Sequence, residues 1–396
     1  MTYLPTDEHE ELRAVVRELA DERIAPRAAE IDQRSEFPWD LKELLARQDL
    51  IGTCFDERYG GTGLDGIGQA IVVEEIARAD ATTSLIPIVQ KLGSLPITLA
   101  GNDEQKDRYF PRLASGEWLI ALALTEAAAG SDVSANRMRA RRDGDDYVLN
   151  GAKRFITHGS IASVLTVFAL TDPDAGGRKG MSAFIVETDT PGFAAPRLEH
   201  KMGIRGSPTA ELTFDDVRVP AANLLGAEGD GFKIAMNTLD ISRLSIAAQA
   251  VGIAQGAIDA AAAYAADRVQ FGQRVSELQA IQFMLADMAS QTEAARQLTY
   301  AAAARVDAGS PDMPYWTSSA KLIAGDTAMR VTTDAVQVLG GYGYIAEYPV
   351  ERMMRDAKIT QLYEGTQQIQ RLIVARQLLQ RSGVAARVPE PAARGR

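Results

Sequence analysis

The apolar pattern of this chain changes period twice, and those two changes constrain its fold more than any single motif. From Thr6 to about Leu113 apolar residues recur at helical spacing, as in Leu12, Val15, Val16 and Leu19. Between Trp118 and about Val219 the runs are short and β-rich, at residues 118–124, 163–170, 181–187 and 210–214, and Asp, Gly and Pro turns separate them. After Pro220 long Ala-, Leu- and Gln-rich helical patterns return and continue through Leu379, with breaks near residues 309–314 and 340–344. Each texture buries its apolar face only against elements of matching geometry, and 396 residues are long for one core. The expected architecture is α+β: an N-terminal all-α domain (1–117), a central antiparallel β-barrel or sandwich domain (118–225) and a C-terminal four-helix bundle (226–381). The Pro-, Ala- and Arg-rich tail, 382–396, is expected to be loose.

Composition excludes several function classes. A net charge of −11 without a Lys/Arg-rich run argues against a sequence-independent grip on nucleic acid. Cys54 is the only cysteine and His9, His158 and His200 are scattered, so neither a disulfide nor a metal site is expected. The acidic opening Asp7-Glu8-His9-Glu10-Glu11 resembles no targeting peptide, and the expected location is cytoplasmic. Residues 246–266 are long and low in charge, but Gln249, Gln255 and Asp259 interrupt them, which predicts a buried bundle helix and no membrane span. Residues 61–66 and 341–346 match GxGxxG and GxGxxA formally. Neither follows an apolar strand, so a nicotinamide-binding Rossmann unit is not expected.

One carboxylate stands apart from the other acidic residues. In Gln361-Leu362-Tyr363-Glu364-Gly365-Thr366-Gln367, helical patterns over 350–362 and 367–379 meet at Gly365, a helix-stopping residue, and at Thr366, a natural N-cap. Glu364 therefore lies on a junction between helices, where a carboxylate can act as a base.

Five segments in order, residues 59–63 (YGGTG), 124–132 (LTEAAAGSD), 153–157 (KRFIT), 268–272 (RVQFG) and 337–344 with 363–366 (YEGT), make the chain resemble the acyl-CoA dehydrogenases over nearly its whole length. These are flavin enzymes that oxidise the Cα–Cβ bond of acyl thioesters. The resemblance implies FAD as cofactor, acyl-CoA as substrate, an electron-transfer flavoprotein as electron acceptor and a homo-oligomer, a tetramer. It implies that Leu124 and Thr125 meet the flavin edge, with Phe155, Ile156 and Thr157 beside the ring. It also implies that Arg268, Phe271 and Gln279 reach the ADP half of an FAD held mainly by a neighbouring subunit, with Gln337, Gly340, Gly341, Thr366 and Gln368 as a second ADP contact. For substrate it implies Ser131, Asp240, Arg243, Tyr363 and Gly365, and for catalysis Glu364.

In that implied reaction Glu364 takes the pro-R α-proton while the β-hydride moves to flavin N5, and the product is a trans-2-enoyl thioester. The Glu364 N–H and a flavin ribityl hydroxyl would hold the thioester carbonyl. Some relatives place the base immediately before the Arg243 position, but Ser242 stands there, which leaves Glu364. The chain departs from the commoner family forms at Ala127-Ala128, in place of Pro-Gly, and at Phe155 and His158, in place of Trp and Asn. The Ala127-Ala128 and Phe155 departures leave open an acyl-carrier-protein-linked dehydrogenase or a flavin oxidase. A non-catalytic acyl-thioester-binding protein would need loss of the base or of the flavin contacts.

Overall fold

The computed structural model describes residues 3–383, so the tail from residue 384 on lies outside the described residues. Six helices open the chain: α1 (Asp7–Leu19), α2 (Ala28–Arg34), α3 (Trp39–Arg47), α4 (Gly66–Ala79), α5 (Ala81–Ala100) and α6 (Asp103–Ala114). The last begins with the capping box expected of Asn102 and Gln105, whose side chains exchange bonds with each other's backbone N–H.

Strands then follow: β1 (Ile120–Ala123), β2 (Arg139–Asp143), β3 (Asp146–Thr157) and β4 (Val164–Leu170). A short helix, α7 (Gly177–Gly180), precedes β5 (Met181–Glu187), β6 (Phe193–Leu198), β7 (Thr209–Pro220) and β8 (Leu224–Leu225). They form one sheet in the order β6-β7-β3-β2-β4-β5-β8, with β1 added on β4. Its ends do not pair, so it is not a closed barrel. Tyr147 on β3 and Phe184 on β5 meet with ring centres 4.9 Å apart and planes tilted by 59°, although their strands are not neighbours, which marks a sheet curled over its own core as a sandwich. Most pairs are antiparallel, but β1 runs parallel to β4, a pairing made possible by the long excursion through β2 and β3 between them.

The C-terminal layer is α8 (Gly231–Asp267), the small hairpin β9 (Val269–Gln270) and β10 (Gln273–Arg274), α9 (Gln279–Asp307), α10 (Met313–Leu339), α11 (Val350–Ala357) and α12 (Gln367–Arg381). The helical pattern expected over 350–362 ends earlier, at Ala357, and tightens into a 3₁₀ turn over Lys358–Gln361. Among the described residues α8 is the one helix long and apolar enough to cross a bilayer, and most of it is packed inside the protein. Small residues let its backbone approach α4: a Cβ on Gly252 would lie 2.2 Å from the Glu74 carbonyl oxygen, and one on Gly256 would lie 2.3 Å from that of Arg78.

Candidate active site

Glu364 sits where the sequence pattern placed it, between the 3₁₀ turn and α12. Both Glu364 (φ 56°) and Gly365 (φ 91°) are left-handed, which costs a glutamate energy and is held only where surroundings over-determine it. Those surroundings are hydrogen bonds to the carbonyls. Gln370 Nε2 donates to the Glu364 and Gly365 oxygens at 3.1 and 2.9 Å, and Lys321 Nζ donates to the Gly365 oxygen at 2.7 Å and to Gln367 Oε1 at 3.1 Å. Thr366 caps α12 by accepting from the Ile369 N–H at 3.4 Å. With its carbonyl engaged by the bundle, Glu364 keeps an N–H that has no acceptor among the described residues.

The carboxylate accepts a hydrogen bond from the Ser242 hydroxyl on α8. Burial raises the Glu364 pKa above the ordinary carboxylate range, and the Ser242 bond and the charges of Arg243 and Lys321 oppose that rise. Lys321 is itself fully buried, and burial pushes its ammonium down to about 7. Tyr363 donates to Gln249 Oε1, and burial raises its phenol well above the usual value. Arg243 is buried and lies between Asp240 and Ser318 Oγ, the latter at 3.4 Å.

A second group gathers at the β-domain. Lys153, wholly buried on β3, donates to the Leu124 carbonyl at 3.1 Å and to Glu126 Oε1 at 2.9 Å, while the Arg154 N–H donates to the Thr125 carbonyl at 2.8 Å. Glu126 in turn accepts from the Arg137 and Met138 N–H groups. The two candidate flavin segments are thereby tied together. Alternation along β3 breaks at a bulge, where Phe155 takes φ 58° and leaves its ring 58 % exposed, with Ile156 buried beneath. His158 is buried against Phe37, and desolvation pushes its imidazole down to about 3, so the ring is neutral. Ser131 is exposed on the loop after Thr125.

The third group lines a cleft of about 400 Å³ at the end of α8. Tyr264, Arg268, Gly340, Gly341 and Tyr342 bound it, and the Arg268 guanidinium lies 5.2 Å from the centre of the Tyr342 ring. No atom lies within 4 Å of a Cβ built on Gly340 or Gly341, so this cradle has room for a ligand, and its cation suits a pyrophosphate. Gln279, Gln337 and Gln368 are exposed, as is Phe271, at 92 %. Neither Glu364 nor Thr125 lines this cleft. Local sequence reading missed Lys321, Gln370, Lys153 and Glu126; the one available signal was a lysine inside the apolar stretch around Ala320 and Leu322.

Three family models match in succession: the acyl-CoA dehydrogenase N-terminal domain over residues 6–117, the middle domain over 121–217 and the C-terminal domain over 229–379. A probable acyl-CoA dehydrogenase of Mycobacterium leprae is 52 % identical over 94 % of this chain and 96 % of its own. Butyryl-CoA dehydrogenase from Megasphaera elsdenii superposes with a TM-score of 0.93 at 44 % identity, covering 96 % of this chain and all of that one. A chain from the structural study of the electron transferring flavoprotein of Acidaminococcus fermentans does so with a TM-score of 0.93 at 46 % identity, with 96 % and 100 % covered.

Proposed function

Because this chain belongs to the acyl-CoA dehydrogenase family of FAD-dependent oxidoreductases, we propose that it converts an acyl-CoA to the trans-2-enoyl-CoA with Glu364 as the α-proton base. The observation that carries this reading is a half-buried carboxylate on a left-handed junction, hydrogen-bonded by Ser242, beside an N–H without a partner among the described residues. The N–H donates to the thioester carbonyl and stabilises the enolate that forms as the α-proton leaves. The α-proton passes to the Glu364 carboxylate, whose raised pKa suits a base acting on a weakly acidic C–H. Gln370 and Lys321 fix the backbone that carries both functions, so donor and base keep their relative position.

Leu124, Thr125, Phe155, Ile156 and Thr157 would hold the flavin ring. Arg268, Gly340 and Gly341 would hold the ADP half, with Phe271, Gln279, Gln337, Thr366 and Gln368 around it. Bound there, FAD supplies the acceptor for the β-hydride. Ser131, Asp240, Arg243, Tyr363 and Gly365 are assigned to the substrate. The exposed aromatic residues Phe271, Phe283 and Tyr344 support a homo-oligomer, a tetramer, in which a neighbouring copy covers them. An electron-transfer flavoprotein is the proposed electron acceptor.

Anaerobic mixing of FAD-loaded protein with a panel of acyl-CoAs tests the reading. Bleaching of the flavin with formation of the 2-enoyl-CoA is expected, and bleaching only by acyl-carrier thioesters would move the assignment to that carrier. No bleaching by any thioester would overturn the dehydrogenase activity.

A further inference from the structure

Tyr363 and Glu364 are consecutive, yet their side chains are tied to α8 at different heights. Glu364 accepts from Ser242, and Tyr363 donates to Gln249. Seven residues are close to two helical turns, so these two anchors share a face and stand about 10 Å apart along the axis. Gln249 is wholly buried, and its amide continues across the interior to the first turn of α5, donating to the Ala81 carbonyl at 3.1 Å and to Ser84 Oγ at 3.0 Å. Tyr363, Gln249 and the start of α5 thus form one hydrogen-bonded bar, whose opening would leave buried polar groups unpaired.

Past this bar α8 is closely packed against α4. One turn further along α8, Gly252 and then Gly256 bring its backbone against that of α4, with no room for even a methyl group. Solvent access falls in the same direction: the Asp240 side chain is 21 % exposed and Gln249 is 0 % exposed. A thioester reaching Glu364 therefore enters from the Asp240 side, and its acyl chain points towards Gln249.

We propose that the Tyr363–Gln249 bar is the floor of the acyl pocket and restricts the enzyme to short acyl thioesters, of about four to six carbons. The proposal rests on Glu364 being the base. Of the roughly 10 Å between the two anchors, about 4 Å is one van der Waals contact. The remaining ~6 Å holds about four or five bonds of an extended chain, which advances roughly 1.2 Å per bond. A ten-carbon chain would have to break the bar or fold back.

The test compares butyryl-, hexanoyl-, decanoyl- and palmitoyl-CoA in anaerobic flavin reduction by the FAD-loaded enzyme, together with calorimetric binding to its Glu364→Gln variant. Reduction and binding should both fall on the order of 10–100-fold from hexanoyl- to decanoyl-CoA, the penalty of overfilling a packed site. Gln249→Ala and, separately, Gln249→Gly should raise the decanoyl-to-butyryl ratio about tenfold by removing the floor. Glu364-dependent reduction with a flat length profile in the wild-type enzyme overturns the floor and leaves the base assignment intact. An unchanged ratio in both folded, FAD-retaining Gln249 variants also overturns it. No reduction at any chain length overturns the base assignment and this proposal together.

Discussion

The Ser242 hydroxyl on α8 donates to the Glu364 carboxylate across 122 residues of sequence. The residue that stands where some relatives carry their base is thus bonded to the one proposed to act as base here.

Ser242→Ala removes a donor that favours the charged carboxylate, so the Glu364 pKa, already raised by burial, should rise further. Only the deprotonated form accepts the α-proton. The acidic limb of flavin reduction against pH should therefore move to higher pH. A limb that stays in place, or moves to lower pH, would show that the hydroxyl does not stabilise the carboxylate.

Glu364→Gln keeps the shape and the N–H but removes the proton acceptor, so flavin reduction should slow by about 10²–10⁴-fold while substrate still binds. Near-normal reduction would place the base elsewhere. Because Ser242 touches Glu364, the double variant Glu364→Gln with Ser242→Glu should recover part of the rate in stopped-flow bleaching. No recovery would mean that a carboxylate on α8 cannot reach the α-carbon.

Lys321 is a cation that folding disfavours, with its ammonium pushed down to about 7. Between about 7 and the ordinary 10.5 the unfolded chain holds the extra proton, so this group's contribution to stability is least favourable below pH 7 and improves as pH rises through that window. Comparing thermal unfolding at pH 6.5 and 9, the wild type should gain on Lys321→Met at the higher pH. Loss of the bond to the Gly365 carbonyl should cost about 1–3 kcal/mol, towards the low end because Gln370 also serves that oxygen. A pH-independent difference would refute the titration.

Arg268→Ala should weaken FAD retention and, if the proposed contact crosses subunits, assembly as well. Flavin absorbance per chain and size-exclusion mass report the two effects separately. Full FAD occupancy in the variant would remove Arg268 from the cofactor site.

Breaking the buried Lys153–Glu126 pair by Lys153→Met leaves Glu126 without its cation and releases the Leu124 carbonyl, at a cost of roughly 3–5 kcal/mol. Chemical unfolding measures it. A loss under about 1 kcal/mol would show that the backbone donors to Glu126 suffice alone.

The junction at Glu364 was legible because its signals are local: a glycine, left-handed here, at the break and a threonine that caps the helix after it. The β texture was legible where strands are buried on both faces, as in β4 and β5, and faint in β2 and β6, whose residues are largely exposed. Strand alternation marked Phe155 and Ile156 as facing opposite ways but gave no sign of the bulge that bends the chain there. The supports of the site lay beyond sequence reading for another reason. Lys321 meets Gly365 across 44 residues, and Tyr363 meets Gln249 across 114, pairings that exist only once the bundle has closed.

α8 is 37 residues long, about 55 Å of continuous helix. It carries Asp240 and Arg243, the serine beneath the base, the glutamine of the bar and, at its far end, the tyrosine that borders the Arg268 cleft. It acts as a ruler on which these positions are graduations. Deleting one residue between Arg243 and Gln249 would shorten it by only ~1.5 Å but turn everything beyond by about 100°. Gln249 would leave the face it shares with Ser242, and Tyr264 would leave its cleft. Point substitutions along this helix tune single functions, whereas a change of its length puts all of them out of phase at once.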